Sequence, residues 1–241
     1  MKIKENPQLT QNDIAHIYND LFKERGRLRD TDAFYFWVLE RLAPTTGTRL
    51  LDVACGEGLF VHAARKRGIS GIGIDLSAQG TLLARSRLAV PVVSVANGEC
   101  LPFADQSFDY VANIGSLEHF VDPLIGVKEM VRVLKPKGKA VVVLPNSYYL
   151  VDIIWQVWRT GYSASHRQPL ERFASFREWW DFLESGGLRV LKAYKYNFCF
   201  PRSKADLQWY QQHPKKILNL LVAPFIPFNF SNHFLYICTR E

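Results

Sequence analysis

Between Arg49 and Pro145 the chain alternates short apolar runs with segments of helical periodicity, and this alternation constrains the fold more than any other feature. Continuous apolar runs of this length are typical of strands buried on both faces. Helical segments between such strands connect them in parallel and cover both faces of the sheet. The runs are Leu50–Val53, Gly71–Ile74, Pro91–Val95, Phe108–Ala112 and Ala140–Leu144, and the helical segments are Gly58–Arg67, Ser77–Leu88 and Asp122–Leu134. The pattern predicts a doubly wound, mostly parallel α/β sheet.

The flanking segments extend this core within one predicted domain over residues 1–241. Residues 1–48 predict an N-terminal helical cap, with helices from about Asn12 to Lys23 and from Thr31 to Leu42. Residues 146–241 predict a lid insertion followed by C-terminal strands. Their helices are Leu150–Trp158 and Ser175–Glu184, and their strands are Leu188–Lys195 and His233–Thr239. The two added strands bring the predicted sheet to seven.

Composition excludes several classes of protein. Hydrophobic residues make up 48% of the 241 residues, which is too many for a disordered chain. The net charge of +7 comes from scattered basic residues, so nucleic acid is an unlikely partner. The four cysteines lie far apart and have no metal-ligand spacing, so no metal site is predicted. The polar N-terminus lacks the apolar core of a secretory signal, and a cytoplasmic location is expected.

A glycine-containing turn follows the first strand directly, in Asp52-Val53-Ala54-Cys55-Gly56-Glu57-Gly58. Glycines at such a turn let backbone N–H groups approach a ligand closely. The third glycine of a dinucleotide fingerprint would fall at Val61, and no phosphate-binding Gly-Lys-Ser/Thr occurs. An acid followed by Gly-x-Gly favours a cationic ligand without phosphate.

A second acid, Asp75, ends the second strand. A carboxylate at this point can accept hydrogen bonds from both ribose hydroxyls of a nucleoside. Alternatively, Asp75 only favours the N-terminus of the next helix. Its separation from the Asp52 turn favours the ribose role.

Several motifs in this order resemble the Rossmann-like family of S-adenosylmethionine (SAM)-dependent methyltransferases, particularly the branch of quinone-biosynthesis and small-metabolite enzymes. The matching segments are LLDVACGEG (50–58), GIGIDLS (71–77), NGECLPFADQSFDYV (97–111), SLEHFVDP (116–123) and VRVLKPKGKAVVVLPN (131–146). The resemblance implies that the last strand is antiparallel and that SAM is the cofactor.

The resemblance also implies roles for individual residues. The turn with Asp52, Ala54, Gly56 and Gly58 would hold the methionine part of SAM, and Asp75 the ribose. The remaining implied contacts are Leu76 on the adenine face, Asn97, Gly98 and Glu99 at the adenine edge, and Ile114, Gly115 and Ser116 at the methionine moiety. Most relatives have an acid in place of Asn97, whose amide oxygen can still accept from the adenine amino group.

Methyl transfer from a sulfonium needs a base only when the nucleophile starts protonated. His119 follows the fourth strand at the edge where ligands bind, and His166 lies in the insertion after the fifth strand. Histidine titrates near neutrality, so either could be the base. The alternatives are a packing role for His119 and a solvated loop for His166. Tyr148 and Tyr149 are further candidates for the pocket wall, and Tyr18 is a candidate lid residue over the SAM, with core packing as the alternative for each.

The sequence leaves the acceptor open as a small-molecule or lipid-linked compound methylated at O, C or N. Aromatic residues in Tyr149–Trp158, and Lys215-Lys216 before the apolar Ile217–Phe230, suggest an amphiphilic acceptor and peripheral contact with a membrane. Two other classes stay open: a nicotinamide-dependent oxidoreductase, and a catalytically silent subunit with this fold. A nucleic-acid methyltransferase is disfavoured because Asn113-Ile114-Gly115-Ser116 replaces the Asn/Asp-Pro-Pro-Tyr/Phe sequence of base methylases.

Overall fold

The computed structural model describes residues 9–26, 31–162, 170 and 172–240, and its centre is one seven-stranded sheet. The strands in chain order are β1 Arg49–Val53, β2 Ser70–Asp75, β3 Val93–Val95, β4 Phe108–Ile114, β5 Leu134–Pro145, β6 Leu188–Tyr196 and β7 His233–Arg240. Their spatial order is β3-β2-β1-β4-β5-β7-β6. All pairs among β1 to β5 are parallel, whereas β7 is antiparallel to both β5 and β6. The predicted fold class and strand directions are confirmed.

Helices cover both faces of this sheet. In chain order they are α1 Gln11–Arg25, α2 Ala33–Leu42, α3 Leu59–Lys66, α4 Ala78–Leu88, α5 Pro123–Val133, α6 Trp155–Thr160, α7 Phe176–Ser185, α8 Lys204–Gln212 and α9 Pro214–Val222. On one face, Phe34 of α2 and Phe60 of α3 pack with Val141 of β5. On the other face, Met130 of α5 and Trp179 of α7 pack in a second core cluster. The two clusters explain why the central strands are apolar on both sides.

Several helices differ from the sequence predictions. Thr10, rather than Asn12-Asp13, caps α1 through a capping box with Asp13. The predicted helix from Leu150 begins as a π-helical turn over Leu150–Ile154, and only then continues as α6. The helices α8 and α9 were not predicted from the sequence, and α9 ends at Val222, before Pro224 and Pro227.

Long-range bonds tie the C-terminal helices to the N-terminal cap. Asp206 at the start of α8 accepts from the backbone N–H groups of Asp32 (2.9 Å) and Ala33 (3.4 Å), so it caps α2 from a distant part of the chain. Arg202 donates to Glu40 of α2 at 2.5 Å, and this pair holds the pKa of the Glu40 carboxyl below its usual value. Within the described residues, no helix has both the length and the hydrophobicity needed to span a bilayer.

Candidate active site

A cavity of about 700 Å³ lies at the edge where the parallel strands end. Most predicted cofactor-binding residues line it: Ala54, Gly56, Asp75, Leu76, Asn97, Gly98, Glu99, Ile114, Gly115 and Ser116. His119 lines it as well. Asp52 lies beneath the lining in β1, and Gly58 packs under α4. His166 and Arg167 lie outside the described residues.

The turn after β1 takes left-handed backbone conformations at Ala54 (φ 62°), Gly56 (φ 52°) and Gly58 (φ 73°). Only glycine adopts such angles without strain, so Ala54 stores backbone strain at the cavity wall. At Gly58 a Cβ would lie 2.9 Å from the Cβ of Ala84 in α4. Gly58 therefore allows the turn and the close packing of two helices together.

The carboxylate of Asp75 connects this turn to the next helix. One oxygen accepts from the N–H of Gly56 at 2.7 Å, and the other accepts from the N–H of Ser77 at 2.8 Å. Burial raises the pKa of Asp75 to about 6, although both backbone hydrogen bonds act in the opposite direction. Both sequence hypotheses for Asp75 agree with this placement, because it lines the cavity and also accepts from the N–H of Ser77, the N-cap residue of α4.

Three acids are crowded around the turn. Asp52 and Glu57 are buried, and the Oε1 atom of Glu57 has no hydrogen-bond partner in the described part of the chain. Burial, with the negative charges of Asp75 and Glu57, raises the pKa of Asp52 well above its usual value. Excess buried negative charge is stabilised by a cation. This end of the cavity therefore fits a positively charged ligand.

The segment after β3 is held by its own side chains. The Asn97 amide oxygen accepts from the N–H of Glu99 at 2.9 Å, and Glu99 accepts from the N–H of Val121 at 2.8 Å. Gly98 is required because an added Cβ would lie 2.5 Å from the ring of Phe120. Asn97 and Glu99 thus shape the loop, and the Asn97 oxygen retains a second lone pair for a ligand.

The helix α1 lies over the glycine turn and docks on α4. Asn19 accepts from the hydroxyl of Ser77 at 2.8 Å and from the N–H of Gln79 at 3.0 Å. The Phe22 ring occupies the space left by Gly56 and Gly80, where an added Cβ would lie 3.1 Å and 2.9 Å from it. Tyr18 lines the cavity, with its ring centroid 6.1 Å from that of His119. The predicted lid position of Tyr18 agrees with this geometry.

His119 sits in a short 3₁₀ turn over Leu117–His119 and is held on both ring nitrogens. Its Nδ1 atom contacts the carbonyl oxygen of Leu170, and its Nε2 atom lies 3.6 Å from a carboxylate oxygen of Glu118. A carbonyl oxygen can only accept, so Nδ1 carries a proton and Nε2 is the ring nitrogen left for proton exchange with an acceptor. The Glu118 carboxylate lies close enough to orient the imidazole ring.

Two residues that the sequence analysis did not assign to the site hold this turn. The fully buried Asn113 donates to the Val53 carbonyl at 3.2 Å and accepts from the Leu117 N–H at 2.9 Å. Arg172 lines the cavity and donates to the backbone carbonyls of residues 118, 120 and 121 at 3.1, 2.6 and 3.2 Å. The signal for Asn113 was a polar residue inside a buried strand. Arg172 had no local signal.

The far end of the cavity is lined by segments that no sequence motif marked. Tyr149 lines it as predicted, whereas the neighbouring Tyr148 is exposed and points away from this wall. The remaining lining on this side comes from residues after β6 and from α8 and α9: Tyr196, Asn197, Phe198, Trp209, Tyr210, Lys216, Asn219, Asn232 and His233. The Lys216 ammonium lies 5.6 Å from the centre of the Phe198 ring. This end is thus mainly aromatic, with amide groups and one lysine.

Comparisons with known proteins agree with this geometry. A family model described as a methyltransferase domain matches residues 51–142. The demethylmenaquinone methyltransferase of Staphylococcus aureus is 30% identical over 183 residues, which cover 71% of this chain and 76% of that protein.

Solved structures resemble the chain over nearly its whole length. A SAM-dependent methyltransferase from Thermotoga maritima, described as a possible histamine N-methyltransferase, has a TM-score of 0.67 at 20% identity and covers 94% of this chain and 99% of that one. Geranyl diphosphate C-methyltransferase from Streptomyces coelicolor has a TM-score of 0.68 at 16% identity, with coverage of 98% and 99%. At these identities the resemblance shows a shared fold.

Proposed function

Because the chain belongs to the SAM-dependent methyltransferase family, we propose that it transfers the methyl group of SAM to a lipid-linked small molecule held at the aromatic end of the cavity. Family membership decides against the nicotinamide-dependent alternative. The cofactor is SAM. All residues from the N-terminal cap (1–48) through the core (49–145) to the C-terminal segment (146–241) would act as one methyltransferase domain.

The acid cluster carries the assignment of the cofactor end. SAM has a sulfonium and an ammonium group, and the buried carboxylates of Glu57 and Asp75, which line the cavity, supply matching negative charge. In this proposal Asp75 accepts from the ribose hydroxyls, and the backbone around Ala54 and Gly56 holds the methionine part. Leu76 and the residues 97–99 contact the adenine, and residues 114–116 contact the methionine. Asp52 and Gly58 shape the turn from beneath.

Bound SAM supplies an electrophilic methyl group on a sulfur that is already a good leaving group. The protein's contribution is then largely to align the acceptor with that methyl group and to exclude water. The acceptor forms the new bond to carbon, the carbon–sulfur bond breaks, and S-adenosylhomocysteine leaves. When the acceptor starts protonated, its proton passes to Nε2 of His119, while the Leu170 carbonyl and Glu118 hold the ring. His166 remains the alternative base.

The acceptor class follows from the far end of the cavity. Aromatic walls from Tyr149, Trp209 and Tyr210 favour a flat, apolar molecule, and the amides supply hydrogen bonds to its polar edge. The similarity to an enzyme that acts on demethylmenaquinone supports a ring with an attached lipid chain. Methylation at O, C or N is decided by which atom of that ring faces the methyl group.

The test uses purified protein, methyl-labelled SAM and chemically reduced demethylmenaquinone in detergent micelles, with mass identification of the product. We expect label in the lipid fraction, and His119→Gln should lower turnover by roughly 10²–10⁴-fold while SAM affinity stays unchanged. His16→Gln, an exposed histidine of α1, is the matched control. SAM binding without any labelled product from this probe or from a total lipid extract would instead support the catalytically silent alternative.

A further inference from the structure

Two helices near the cavity, α6 and α9, turn large apolar side chains toward solvent. On α6, Trp158 is 73% exposed, and its ring lies 5.0 Å from that of the exposed Trp155. On α9 and the turn after it, Leu218, Leu221 and Phe225 are 62%, 61% and 84% exposed. We call these residues the apolar rim. Single exposed apolar residues are common, but groups of this size around one opening mark a contact surface.

All charged residues within α6 and α9 are basic, and the acid nearest to the rim in sequence is the exposed Asp152, three residues before Trp155. The sequence contains no Asp or Glu from 153 to 170 and none from 207 to 240, although acids are frequent elsewhere in the chain. The basic residues Arg159 and Lys216 lie in the same helices as the rim, and the whole chain carries a net charge of +7. A surface that is apolar and aromatic, with basic residues in the same helices, is complementary to anionic lipid headgroups.

The helix α9, which carries part of the apolar rim, lines the cavity, and so does the turn over Leu150–Ile154 that precedes α6. Val151 and Ile153, in the turn that leads into α6, face the cavity on one side. Lys216 and Asn219 of α9 face it on the other, while Leu218 and Leu221 of that helix are directed outward. A molecule anchored at the outer faces of these helices therefore needs to move only across their width to reach the cavity.

We propose that the apolar rim rests on an anionic lipid bilayer and holds the cavity opening against it. Trp155 and Trp158 would lie at the headgroup level, where tryptophan is favoured, and the leucines of α9 would enter the acyl boundary. Basic side chains beside them would contact anionic headgroups. The proposal rests on the proposed function only where it gives a lipid-linked acceptor a route from the bilayer into the cavity.

The experiment measures co-sedimentation of the full chain with vesicles of phosphatidylcholine alone or mixed with phosphatidylglycerol. We expect binding to the mixed vesicles, weaker binding to pure phosphatidylcholine, and a decrease with added salt. The double variant L218Q/L221Q should bind at least about tenfold more weakly, because two outward leucines leave the apolar phase. The control is L82Q/L191Q, whose leucines are 57% and 48% exposed on α4 and β6.

Three results would overturn the proposal: no binding of the wild type to mixed vesicles, equal losses in L218Q/L221Q and L82Q/L191Q, or a wild-type dimer in sedimentation velocity that L218Q/L221Q dissociates. The last result would identify a second copy as the occupant of the rim. Calorimetric SAM binding verifies that each variant is folded. Methylation of reduced demethylmenaquinone in micelles is measured in parallel, so vesicle binding without any methylation contradicts the proposed function and leaves the rim proposal intact.

Discussion

Acidification should weaken SAM binding through Asp75. In the free protein, burial raises the pKa of this carboxyl to about 6, so lowering the pH from about 7 to about 5 protonates most of it. A protonated carboxyl has lost its charge and one acceptor site, whereas two ribose hydroxyls and a cationic ligand require the ionised form. The proton must therefore leave Asp75 before SAM binds in the proposed geometry.

The size of the effect follows from that pKa. With a free-state pKa of about 6, roughly a tenth of Asp75 is protonated near pH 7 and roughly nine-tenths near pH 5. If bound SAM returns the pKa to about 4 or below, the apparent affinity falls about tenfold between these conditions. The raised pKa of Asp75 also makes folding stability depend on pH. A carboxyl with a raised folded-state pKa contributes stability below its unfolded pKa of about 3.8, and that stability is lost as the pH rises through about 6.

Isothermal titration calorimetry at both pH values, in two buffers of different ionisation enthalpy, measures the affinity and the protons released. Wild type should release close to one proton per SAM near pH 5, and Asp75→Asn should bind at least about tenfold more weakly at neutral pH with no such release. Equal wild-type affinity at both pH values would refute the reasoning. Unchanged proton release in Asp75→Asn would assign the titration to Asp52 instead.

Further predictions concern packing at the cofactor end. Gly58→Ala should lower the free energy of unfolding in urea by about 1–3 kcal/mol more than Gly161→Ala, because both glycines have φ of 73° but only Gly58 has a neighbour within 4 Å of an added Cβ. Equal losses of unfolding free energy in the two variants would mean that backbone strain at the positive φ causes the loss, and not the contact with Ala84. Phe22→Ala should raise hydrogen exchange throughout α1 and weaken SAM binding, because the buried ring anchors that helix at Gly56 and Gly80. Slow exchange in α1 of this variant would contradict the anchoring role.

The fold could be predicted because its signals are local. Each strand from β1 to β5 contains one short apolar run and is followed by a turn at its carboxyl end. The helices between these strands show helical periodicity in their apolar residues. The predictions are weaker where residues far apart in the sequence determine the local structure. The cap of α2 comes from Asp206, 174 residues from Asp32 in sequence, and nothing near Asp32 announces it. For α9, the apolar stretch was evident, but its outward leucines do not follow the pattern of a core helix.

The candidate site also has one part that follows from local sequence and one part that depends on tertiary packing. Its acid and glycine turn lies within one strand–turn–helix unit, and Asp75 ends the next strand, so sequence spacing alone brings Gly56 and Asp75 together at 2.7 Å. The aromatic end is assembled from Tyr149, the residues after β6, α8 and α9, which meet only through tertiary packing. The residues that bind a shared cofactor lie in short motifs, so the cofactor constrains those motifs. The residues of the acceptor wall lie elsewhere and can vary without changing them. For this reason the sequence identifies the methyl donor and leaves the acceptor open.

The turn that carries His119 is the point at which the two ends of the cavity are joined. From the cofactor side, Asn113 connects it to the end of β1, and from the acceptor side, Arg172 and the Leu170 carbonyl hold its backbone and its imidazole. Each bond has a backbone group as one partner, so the position of His119 depends on the course of both segments rather than on one side chain. A movement of the segment around Leu170 and Arg172 would therefore shift Nε2 relative to the acceptor while leaving Asp75 and the glycine turn in place. Coupling between the two ends of the cavity should pass through this turn, since Asn113 and Arg172 bond to it from opposite sides.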